Sequence, residues 1–335
     1  MTQHYSVSPE QIGMELDEFL CRMYPLASKR RLRQHIREGL VLLDGAASRP
    51  SMRLRDNSVI TVEFEDDDTL AASEAIAIPE PPPILYEDAH VLLVDKPAHL
   101  LVEPDRWDGE KENLIGALHA LSQSRELEQP SAAFRPRLVH RLDKDTSGVL
   151  LVAKSIEAER VLGSAFENSE VAKTYLALVE GEHPLEGGAS EDIDLAIGPD
   201  LRRSGQMCAR EDGKPAVTRI RVEQRFRGYT LLRCEPRTGR THQIRVHLAA
   251  KGFPLAVDPL YGRRKALLLS EIKSGYRHKP GQPETPLIDR LTLHALSLEF
   301  PLVERAAERA RVEAPIPRDL ERTLKQLAKV RAPRR

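Results

Sequence analysis

A chain of 335 residues is long enough for about two domains, and its 41% hydrophobic and 30% charged residues exclude a globally disordered protein. Its 50 basic residues nearly balance its 51 acidic ones, which excludes a uniformly basic nucleic-acid coat but not a local basic patch. The three cysteines, Cys21, Cys208 and Cys234, are odd in number and far apart, which argues against a disulfide scaffold.

The apolar runs of the chain are too short to cross a membrane. The longest are VLLV at 91–94 and VLLVA at 149–153. The N-terminus, MTQHYSVSPEQIG, has no basic stretch followed by an apolar one, so it does not resemble a secretory signal. We therefore expect a cytoplasmic protein with reduced thiols and no membrane partner.

The first 67 residues are expected to form a small domain of two helices followed by two strands. Apolar residues recur at helical spacing over 16–23 and again at Leu32 and Ile36, and Gly39 is suited to end the second helix. The strands VLLD and SVITVEF follow, with a turn at Gly45 between them. We place the first domain boundary at residue 67.

The second helix of this domain is strongly basic. No acidic residue occurs between Cys21 and Glu38. The cationic positions of the helix are Lys29, Arg30, Arg31, Arg33 and Arg37. Since Leu32 and Ile36 mark its buried side, the cations must project from the rest of its surface. Such a face is often only solvated, but the absence of interspersed acids is typical of phosphate contact.

Residues 68–84 are expected to be a linker, because this Pro-rich stretch cannot hold a helix or a central strand. From residue 85 onward, strand patterns alternate with a few helical ones. The strand patterns are ILYE, HVLLVDKP, GVLLVAK, TYLALVEG, AVTRIRVEQRF and YTLLRCEP. Helical spacing occurs at 155–168, from Thr241 to Gly252, and at 317–329. The sequence therefore predicts an α+β domain with a mixed or antiparallel sheet over residues 85–335.

The segment RLVHRLDKDTSGVLLVAKS, residues 137–155, places acids in a turn-rich loop just before a buried strand. The first acid is Asp143, and Asp145 is a rival two residues further along. Reacting groups often lie on loops that a rigid sheet holds, whereas an Asp in a turn can simply cap its own backbone. The residue types alone leave both interpretations open.

A second segment, RTGRTHQIRVHLAAKGFP at 237–254, concentrates arginine and histidine around a glycine. Such a cluster can hold a phosphate at a helix N-terminus, or one arginine can pair with a buried carboxylate. A zinc site of His140, His242 and His247 is disfavoured, because the spacing between the last two does not put both on one helix face. His247 is then expected to be a hydrogen-bonded core histidine.

Tyr175 lies in the predicted strand KTYLALVEG. A strand tyrosine is usually a core residue with a solvated hydroxyl, but it can also stack on a flat ring or transfer a proton. Motifs typical of nucleotide hydrolysis, hydride transfer, serine hydrolysis and metalloprotease chemistry are missing from the sequence.

The order and spacing of HRLDKDTSGVLLVAK, KTYLALVEG and GRTHQIRVHLAAKGFPLAVDPLYG resemble those of the RluA-type pseudouridine synthases. VDKPAHLLVEP at 94–104 is similar to the family's KPAG-type segment, and LTLHALSLEFP at 291–301 to its closing strand, so the resemblance covers about residues 85–330. Two residues depart from the family: His99 stands where glycine is usual, and Glu103 where histidine is usual.

The N-terminal segments GMELDEFL, SKRRLRQHIREG and VLLDG resemble an alpha-L, S-four-like RNA-binding domain. This domain commonly precedes the catalytic domain in the family's ribosomal RNA branch. The two resemblances together imply an isomerase that converts uridine in RNA to pseudouridine. Large-subunit ribosomal RNA is favoured as the substrate over transfer RNA, and the enzyme is expected to be a monomer.

The resemblance assigns the family's reacting aspartate to Asp143 rather than Asp145, its tyrosine to Tyr175 and its active-site arginine to Arg245. Arg245 is predicted to pair with Asp143 and to favour its ionised form. RNA contacts are predicted at Lys29, Arg30, Arg31, Arg33, Arg37, His140, Arg141, Arg240 and His242. Since the isomerisation involves no net redox change, no cofactor is expected, and no metal.

The chemistry leaves two routes open at this stage. The carboxylate of Asp143 can attack covalently, as in retaining glycosidases, or it can remove a proton from the ribose. A non-catalytic RNA-binding or ribosome-assembly factor would be expected to lack Asp143, Tyr175 or Arg245, and all three are present. A metal-dependent hydrolase would need a set of ligands that this sequence does not supply.

Overall fold

A computed structural model describes residues 2–8, 11–24, 29–64, 80–103, 112–129, 134–277, 281–305 and 307–333. The chain divides into two compact units, residues 1–80 with 103–120, and residues 81–102 with 121–335. The predicted linker at 68–84 lies outside the described residues as far as residue 79. Every helix in the described ranges is too short or too polar to span a bilayer.

Over the described residues up to 64, the first unit has two helices and a four-stranded antiparallel sheet. The helices are α1 (Leu16–Met23) and α2 (Lys29–Arg37), and the strands are β1 (Gln3–Ser6), β2 (Val41–Leu43), β3 (Ala46–Ala47) and β4 (Val59–Val62). The strand order is β1-β4-β2-β3, so the strand nearest the N-terminus pairs with the last one. The helix–helix–strand–strand order expected from the sequence is present, and β1 and β3 are additional.

The core of the first unit forms where the sequence places its apolar stripes. Leu32 and Ile36 on α2 are buried, and so are Phe19 and Leu20 on α1. Met23, at the end of the α1 stripe, is instead exposed. Arg33 and Arg37 on α2 are exposed, on the side that its helical spacing predicts.

The second unit is dominated by one large sheet. Its strands are β5 (Ile84–Glu87), β6 (Val91–Lys96), β7 (Arg137–Leu138), β8 (Ser147–Ala153), β9 (Ala172–Glu180), β10 (Ser190–Asp194), β13 (Val217–Phe226), β14 (Tyr229–Pro236), β15 (Leu293–Pro301) and β16 (Arg309–Glu313). A separate hairpin pairs β11 (Ile197–Pro199) with β12 (Met207–Ala209). The helices are α4 (Ile156–Glu167), α5 (Gln243–Ala250), α6 (Leu269–Ile272) and α7 (Arg318–Val330), while α3 (Leu114–Glu128) has residues in both units.

The large sheet is mixed, as expected for the α+β class. Its order is β10-β13-β14-β9-β15-β8-β6-β5, with β7 added beside β8 and β16 beside β15. Only the β15–β8 pair is parallel among the pairs in this sheet that the structure describes. That pair brings β8, which follows the Asp143 loop, to within one strand of β9, which carries Tyr175.

The predicted helices are present with small shifts at their ends. Ser155 caps α4 by accepting a hydrogen bond from the backbone N–H of Ala158, at 3.1 Å. The helix expected to start at Thr241 starts at Gln243, because His242 has a left-handed backbone conformation with φ 56°. The C-terminal helix spans Arg318–Val330, close to the predicted 317–329.

Gly148 lets β8 approach β15 closely. Its φ is 114°, and a Cβ built there would lie 2.7 Å from the carbonyl carbon of Ala295 and overlap the carbonyl oxygen. Both the backbone conformation and the lack of space require glycine at this position. Ser147 and Gly148, which follow the Asp143 loop, therefore mark the point where β8 begins to pair with β15.

We expect Gly148→Ala to lower the free energy of unfolding by more than about 2 kcal/mol, because β15 must move to relieve the overlap. Gly163→Ala is the matched control, since Gly163 lies within α4 and a Cβ there would meet nothing within 4 Å. It should raise stability by about 0.5–1 kcal/mol. Urea unfolding of both variants measures the difference, and equal stability of the two would contradict this account of Gly148.

Candidate active site

Asp143 lies in the turn between β7 and β8. The turn is closed by the backbone N–H of Thr146, which donates to the carbonyl of Asp143 at 3.1 Å. Because the backbone closes this turn, the carboxylate is not needed to cap it. The Asp143 side chain is 28% exposed, so one part of it can meet a ligand.

The carboxylate of Asp143 is paired with Arg245 on α5. Nη1 of Arg245 donates to Oδ2 of Asp143 at 2.9 Å. The other side of the guanidinium is bound by Asp258, whose Oδ2 accepts from Nε at 2.8 Å and whose Oδ1 accepts from Nη2 at 2.9 Å. The predicted pair between Arg245 and Asp143 is confirmed, and the structure adds a second carboxylate to it.

Asp258 fixes the position of Arg245. It is 1% exposed, and its Oδ1 also accepts from the backbone N–H groups of Leu260 and Tyr261, at 2.9 and 3.1 Å. No role was predicted for Asp258 from the sequence, although LAVDPLYG is part of the motif. An acid directly before a proline, after an apolar run, is a usable signal, because such residues form turns through their own side chains.

The guanidinium of Arg245 stays charged in this environment. Burial lowers the pKa of Arg245, but the hydrogen bonds and charges of Asp258 and Asp143 outweigh burial and raise the pKa above its ordinary value. A buried cation needs a carboxylate partner, and Asp258 supplies two hydrogen bonds to Arg245 while Asp143 supplies one. The pocket thus keeps a permanent positive charge against one oxygen of Asp143.

Tyr175 lies on β9, in register with Cys234 of β14 and Ala295 of β15. Burial raises the pKa of the Tyr175 phenol, and the charge of Asp143 raises it further, so the hydroxyl keeps its proton. The described part of the chain supplies no hydrogen-bond partner for this hydroxyl. A partly buried ring with an uncommitted hydroxyl near Asp143 is suited to contact a base.

The rival acid, Asp145, is bound elsewhere. Its Oδ1 pairs with Nδ1 of His99 at 2.9 Å. His99 itself has φ 67°, a left-handed conformation. This conformation explains why glycine is the usual residue at this position in the resembled family. The substitution by histidine keeps the turn and adds a partner for Asp145.

A buried lysine joins two loops of the site. Nζ of Lys96 donates to the carbonyls of Pro97, Leu100 and Lys144, each at 2.9 Å. Burial lowers the pKa of Lys96 to about 7, although the charges of Asp145 and Asp143 oppose that shift. Lys96 lies in the segment VDKPAHLLVEP, but its residue type alone predicted no role for it. It ties the Asp143 loop to the loop that follows β6.

His140 supports β8. Its Nε2 accepts from the backbone N–H of Leu151 at 2.9 Å, and its ring stacks on Phe166 with centroids 4.6 Å apart. Burial lowers its pKa to about 3, and the charge of Lys173 adds to the effect. The ring is therefore neutral and supplies no positive charge to a phosphate. Its predicted RNA contact gains no support from this geometry.

Three other residues of the two motifs were predicted to contact RNA, and their surroundings differ from those of His140. Arg141 and Arg240 are exposed, and Nε of Arg240 donates to the carbonyl of Pro215 at 3.1 Å. His242 is turned toward the site instead, with its Nε2 3.9 Å from Oδ1 of Asp143. Both arginines are thus exposed on the surface, while His242 lies beside Asp143.

The basic side chains of α2 differ in their exposure and in their partners. Nε of Arg33 pairs at 2.6 Å with Oδ2 of Asp17, a carboxylate that is fully buried. Arg37 is exposed and Arg31 is partly buried, while the side chains of Lys29 and Arg30 lie outside the described residues. Arg33 therefore has a structural partner within its own unit.

His247 is a core histidine, as one of the two sequence interpretations expected. Its Nδ1 lies 2.9 Å from the hydroxyl of Thr218, and its Nε2 lies 2.9 Å from the carbonyl of Leu195. Both ring nitrogens are thus engaged within the protein. Over the residues that the structure describes, no three His, Cys, Asp or Glu side chains are grouped as metal ligands would be.

Comparison with known proteins identifies related sequences. A family model described as RNA pseudouridylate synthase matches residues 90–250. The "Ribosomal large subunit pseudouridine synthase D" of Xanthomonas campestris is 38% identical over 94% of this chain and 89% of that protein. The "Ribosomal large subunit pseudouridine synthase C" of Escherichia coli is 33% identical over 97% of each chain.

Solved structures show the same fold. "Human RNA Pseudouridylate Synthase Domain Containing 1" matches with a TM-score of 0.50 and 27% identity, covering 71% of this chain and 84% of that one. "Human RNA Pseudouridylate Synthase Domain Containing 4" matches with a TM-score of 0.52 at 23% identity, covering 73% and 92%. The large mixed sheet that holds the Asp143 loop is therefore a known architecture.

We expect Arg245→Met to lower the free energy of unfolding by about 3–5 kcal/mol, because it leaves the carboxylate of Asp258 buried without a cation. Adding Asp258→Asn should recover part of this loss, since Asn is neutral and keeps an oxygen for the Leu260 and Tyr261 N–H groups. Urea unfolding of both variants gives the two values. A double variant less stable than Arg245→Met alone would contradict the proposed electrostatic coupling.

A matched control for this experiment is the exposed pair of Arg219 with Asp192. This pair is also bidentate, at 2.8 Å for both bonds, but its side chains are 35% and 43% exposed. Arg219→Met should cost less than about 1 kcal/mol, because solvent screens such a pair.

Proposed function

Because this chain belongs to the RNA pseudouridylate synthase family, we propose that it isomerises uridine in large-subunit ribosomal RNA to pseudouridine. The geometry around Asp143 supports a role for specific residues in this reaction. A partly exposed carboxylate, Asp143, is held against a buried arginine, and its second oxygen is left open. This is the arrangement that an ionised reacting group needs in a water-poor pocket.

The reaction balances without an external oxidant or reductant. The bond from N1 to C1′ breaks, a bond from C5 to C1′ forms, C5 loses a proton and N1 gains one. In our proposal Asp143 is the group that acts on the ribose when the base departs, either by attack at C1′ or by removal of a ribose proton. Both routes need a carboxylate that is held in place, and the hydrogen bond from Arg245 holds Asp143.

We assign to Tyr175 the role of contacting the released base. Its ring lies in the sheet near Asp143, and its hydroxyl keeps its proton because burial and the Asp143 charge raise the phenol pKa. A protonated phenol can pass its proton to a uracil oxygen while its own oxygen accepts the proton that C5 loses, so that the phenol ends protonated as it began. Its ring can stack on the base after the base has left the RNA helix.

The ribosomal RNA substrate is proposed from two sources. The relatives from X. campestris and E. coli are both named for the large ribosomal subunit. We further propose that residues 1–67 are an S-four-like RNA-binding domain, joined by a linker at 68–84 to a catalytic domain at 85–335. The mixed charge of the whole chain requires such a local basic surface for RNA binding. Transfer RNA is the second candidate substrate.

The phosphate contacts are proposed at exposed cations. Arg141 and Arg240 lie beside the two catalytic motifs, and Arg37 lies on α2. Lys29, Arg30 and Arg31 belong to the same basic helix. Arg33 is a weaker candidate, because its guanidinium is paired with the buried Asp17. These contacts would position the RNA without reading its sequence.

Asp143→Asn should reduce pseudouridine formation by roughly a thousandfold or more while leaving the melting temperature nearly unchanged. The change is almost isosteric and removes the ionised oxygen. Asp145→Asn is the matched control and should keep at least about a tenth of the activity, because Asp145 pairs with His99 rather than Arg245. Single-turnover assays on ribosomal RNA fragments measure both rates. Inactivity of Asp145→Asn with an active Asp143→Asn would refute the assignment.

Arg30→Gln combined with Arg37→Gln should weaken RNA binding and reduce its salt dependence. Each phosphate contact removed should lower the slope of log K against log salt by about one unit. Arg33 is kept, because its loss would break the ion pair that it makes with the buried Asp17. Turnover of a short stem-loop at saturation should change little.

The control for the salt experiment is a variant with Gln at Arg305 and Arg311, whose side chains are 63% and 54% exposed on another part of the chain. Filter binding over a salt series compares the three proteins. If the α2 variant and the control have the same slope as the wild type, α2 does not contact RNA.

A further inference from the structure

His242 faces the carboxylate oxygen of Asp143 that Arg245 leaves open. Its Nε2 lies 3.9 Å from Oδ1 of Asp143, while Arg245 binds Oδ2. A separation of 3.9 Å is too long for a direct hydrogen bond. One small group placed between the two atoms can reach both of them at hydrogen-bond distance.

The hydroxyl of Tyr261 determines which nitrogen of His242 carries a proton. This oxygen accepts from the backbone N–H of Met207 at 2.9 Å and lies 2.8 Å from Nδ1 of His242. Burial raises the pKa of Tyr261, so the phenol keeps its proton. Since its oxygen already accepts from Met207, we assign the tautomer in which the phenol donates to Nδ1 and the imidazole carries its proton on Nε2.

His242 is neutral in this environment. Burial lowers its pKa, and Arg245 lowers it further, against the opposing charges of Asp143 and Asp258. The site therefore presents a neutral N–H donor beside a carboxylate acceptor, rather than a second cation. This differs from a phosphate contact, which the position of His242 in a basic segment suggested.

Several contacts hold His242 and Asp143 in place. The left-handed conformation of His242, with φ 56°, orients its side chain ahead of α5. The guanidinium of Arg245 lies over the Tyr261 ring, 5.0 Å from its centroid. Since Arg245 is itself fixed by Asp258, the donor and the acceptor are both fixed before any ligand binds.

A ligand atom between Nε2–H and Oδ1 must accept one hydrogen bond and donate another. Only a hydroxyl does both within a nucleotide. In an internal uridine the 3′ and 5′ oxygens are esterified, the uracil carbonyls only accept, and N3–H only donates. The remaining group is the ribose 2′-hydroxyl, which also distinguishes RNA from DNA.

Resting on the proposed function, we propose that His242 and Asp143 together bind the 2′-hydroxyl of the target ribose. The Nε2–H of His242 donates to this hydroxyl, and the hydroxyl donates to Oδ1 of Asp143. His242 is then a substrate-binding residue, and Tyr261 is a positioning residue that acts through it.

The test compares two RNA substrates that differ only at the target nucleotide, one with uridine and one with 2′-deoxyuridine. Loss of the hydroxyl also changes the intrinsic reactivity of the ribose, but by the same factor for every enzyme variant. The ratio of kcat/KM for the two substrates, compared between variants, therefore isolates the contact.

His242→Asn should reduce the wild-type preference for the ribo substrate by about tenfold, the effect of one hydrogen bond to a neutral group. Asn tolerates the left-handed backbone but does not reach the position of Nε2. His242→Gln, which places an amide N–H near that position, should restore part of the preference. Tyr261→Phe removes the hydroxyl that fixes the tautomer of His242, so it should lower the preference for the ribo substrate by an intermediate amount.

Tyr175→Phe is the control, because it should slow both substrates by the same factor and leave the preference unchanged. If His242→Asn keeps the wild-type preference for the ribo substrate, the 2′-hydroxyl assignment is wrong, while the proposed function stands. If His242→Asn is inactive on both substrates, an unchanged preference in Tyr261→Phe leads to the same conclusion. A wild-type protein that forms no pseudouridine in the ribo substrate would overturn both.

Discussion

The pairing of one buried guanidinium with two carboxylates is the interaction on which the site depends. Arg245 is 5% exposed and would be costly to bury alone, so Asp258 neutralises it from one side and Asp143 from the other. The two acids differ in access, because Asp258 is fully enclosed and Asp143 is partly exposed. The same guanidinium thus binds one carboxylate that is enclosed in the fold and one that a ligand can reach.

The mixed sheet supplies the rigidity that this pairing requires. The Asp143 loop ends where β8 enters its parallel pairing with β15, and Gly148 permits the close approach of the two strands. Lys96 ties the same loop to the chain after β6 by binding three carbonyl oxygens. Donors and acceptors fixed before the substrate arrives need little rearrangement during the reaction, which is how an enzyme pocket favours a charged transition state.

The sequence predicted the helices, the strands and the main site residues better than it predicted which side chains bind one another. Strand and helix patterns survive folding because they are local, and the motif resemblance brought Asp143 and Arg245 together although 102 residues separate them. Asp258 was missed because its role is visible only once Arg245 is placed. The neutral state of His140 was missed because it follows from burial, and the engagement of Arg33 by Asp17 because it joins α2 to α1. Long-range burial and pairing are set by the tertiary structure, which a local pattern does not contain.

We propose that Asp258 supports catalysis by holding Arg245 against Asp143. The single-turnover rate of an Asp258→Asn variant tests this most directly. Asn keeps an oxygen for the backbone N–H groups of Leu260 and Tyr261 but loses the charge that fixes the guanidinium. We expect pseudouridine formation at saturating enzyme to slow by about 10- to 100-fold in a protein that remains folded by circular dichroism. A folded variant with the wild-type rate would show that Asp143 functions without this support, and it would contradict the account.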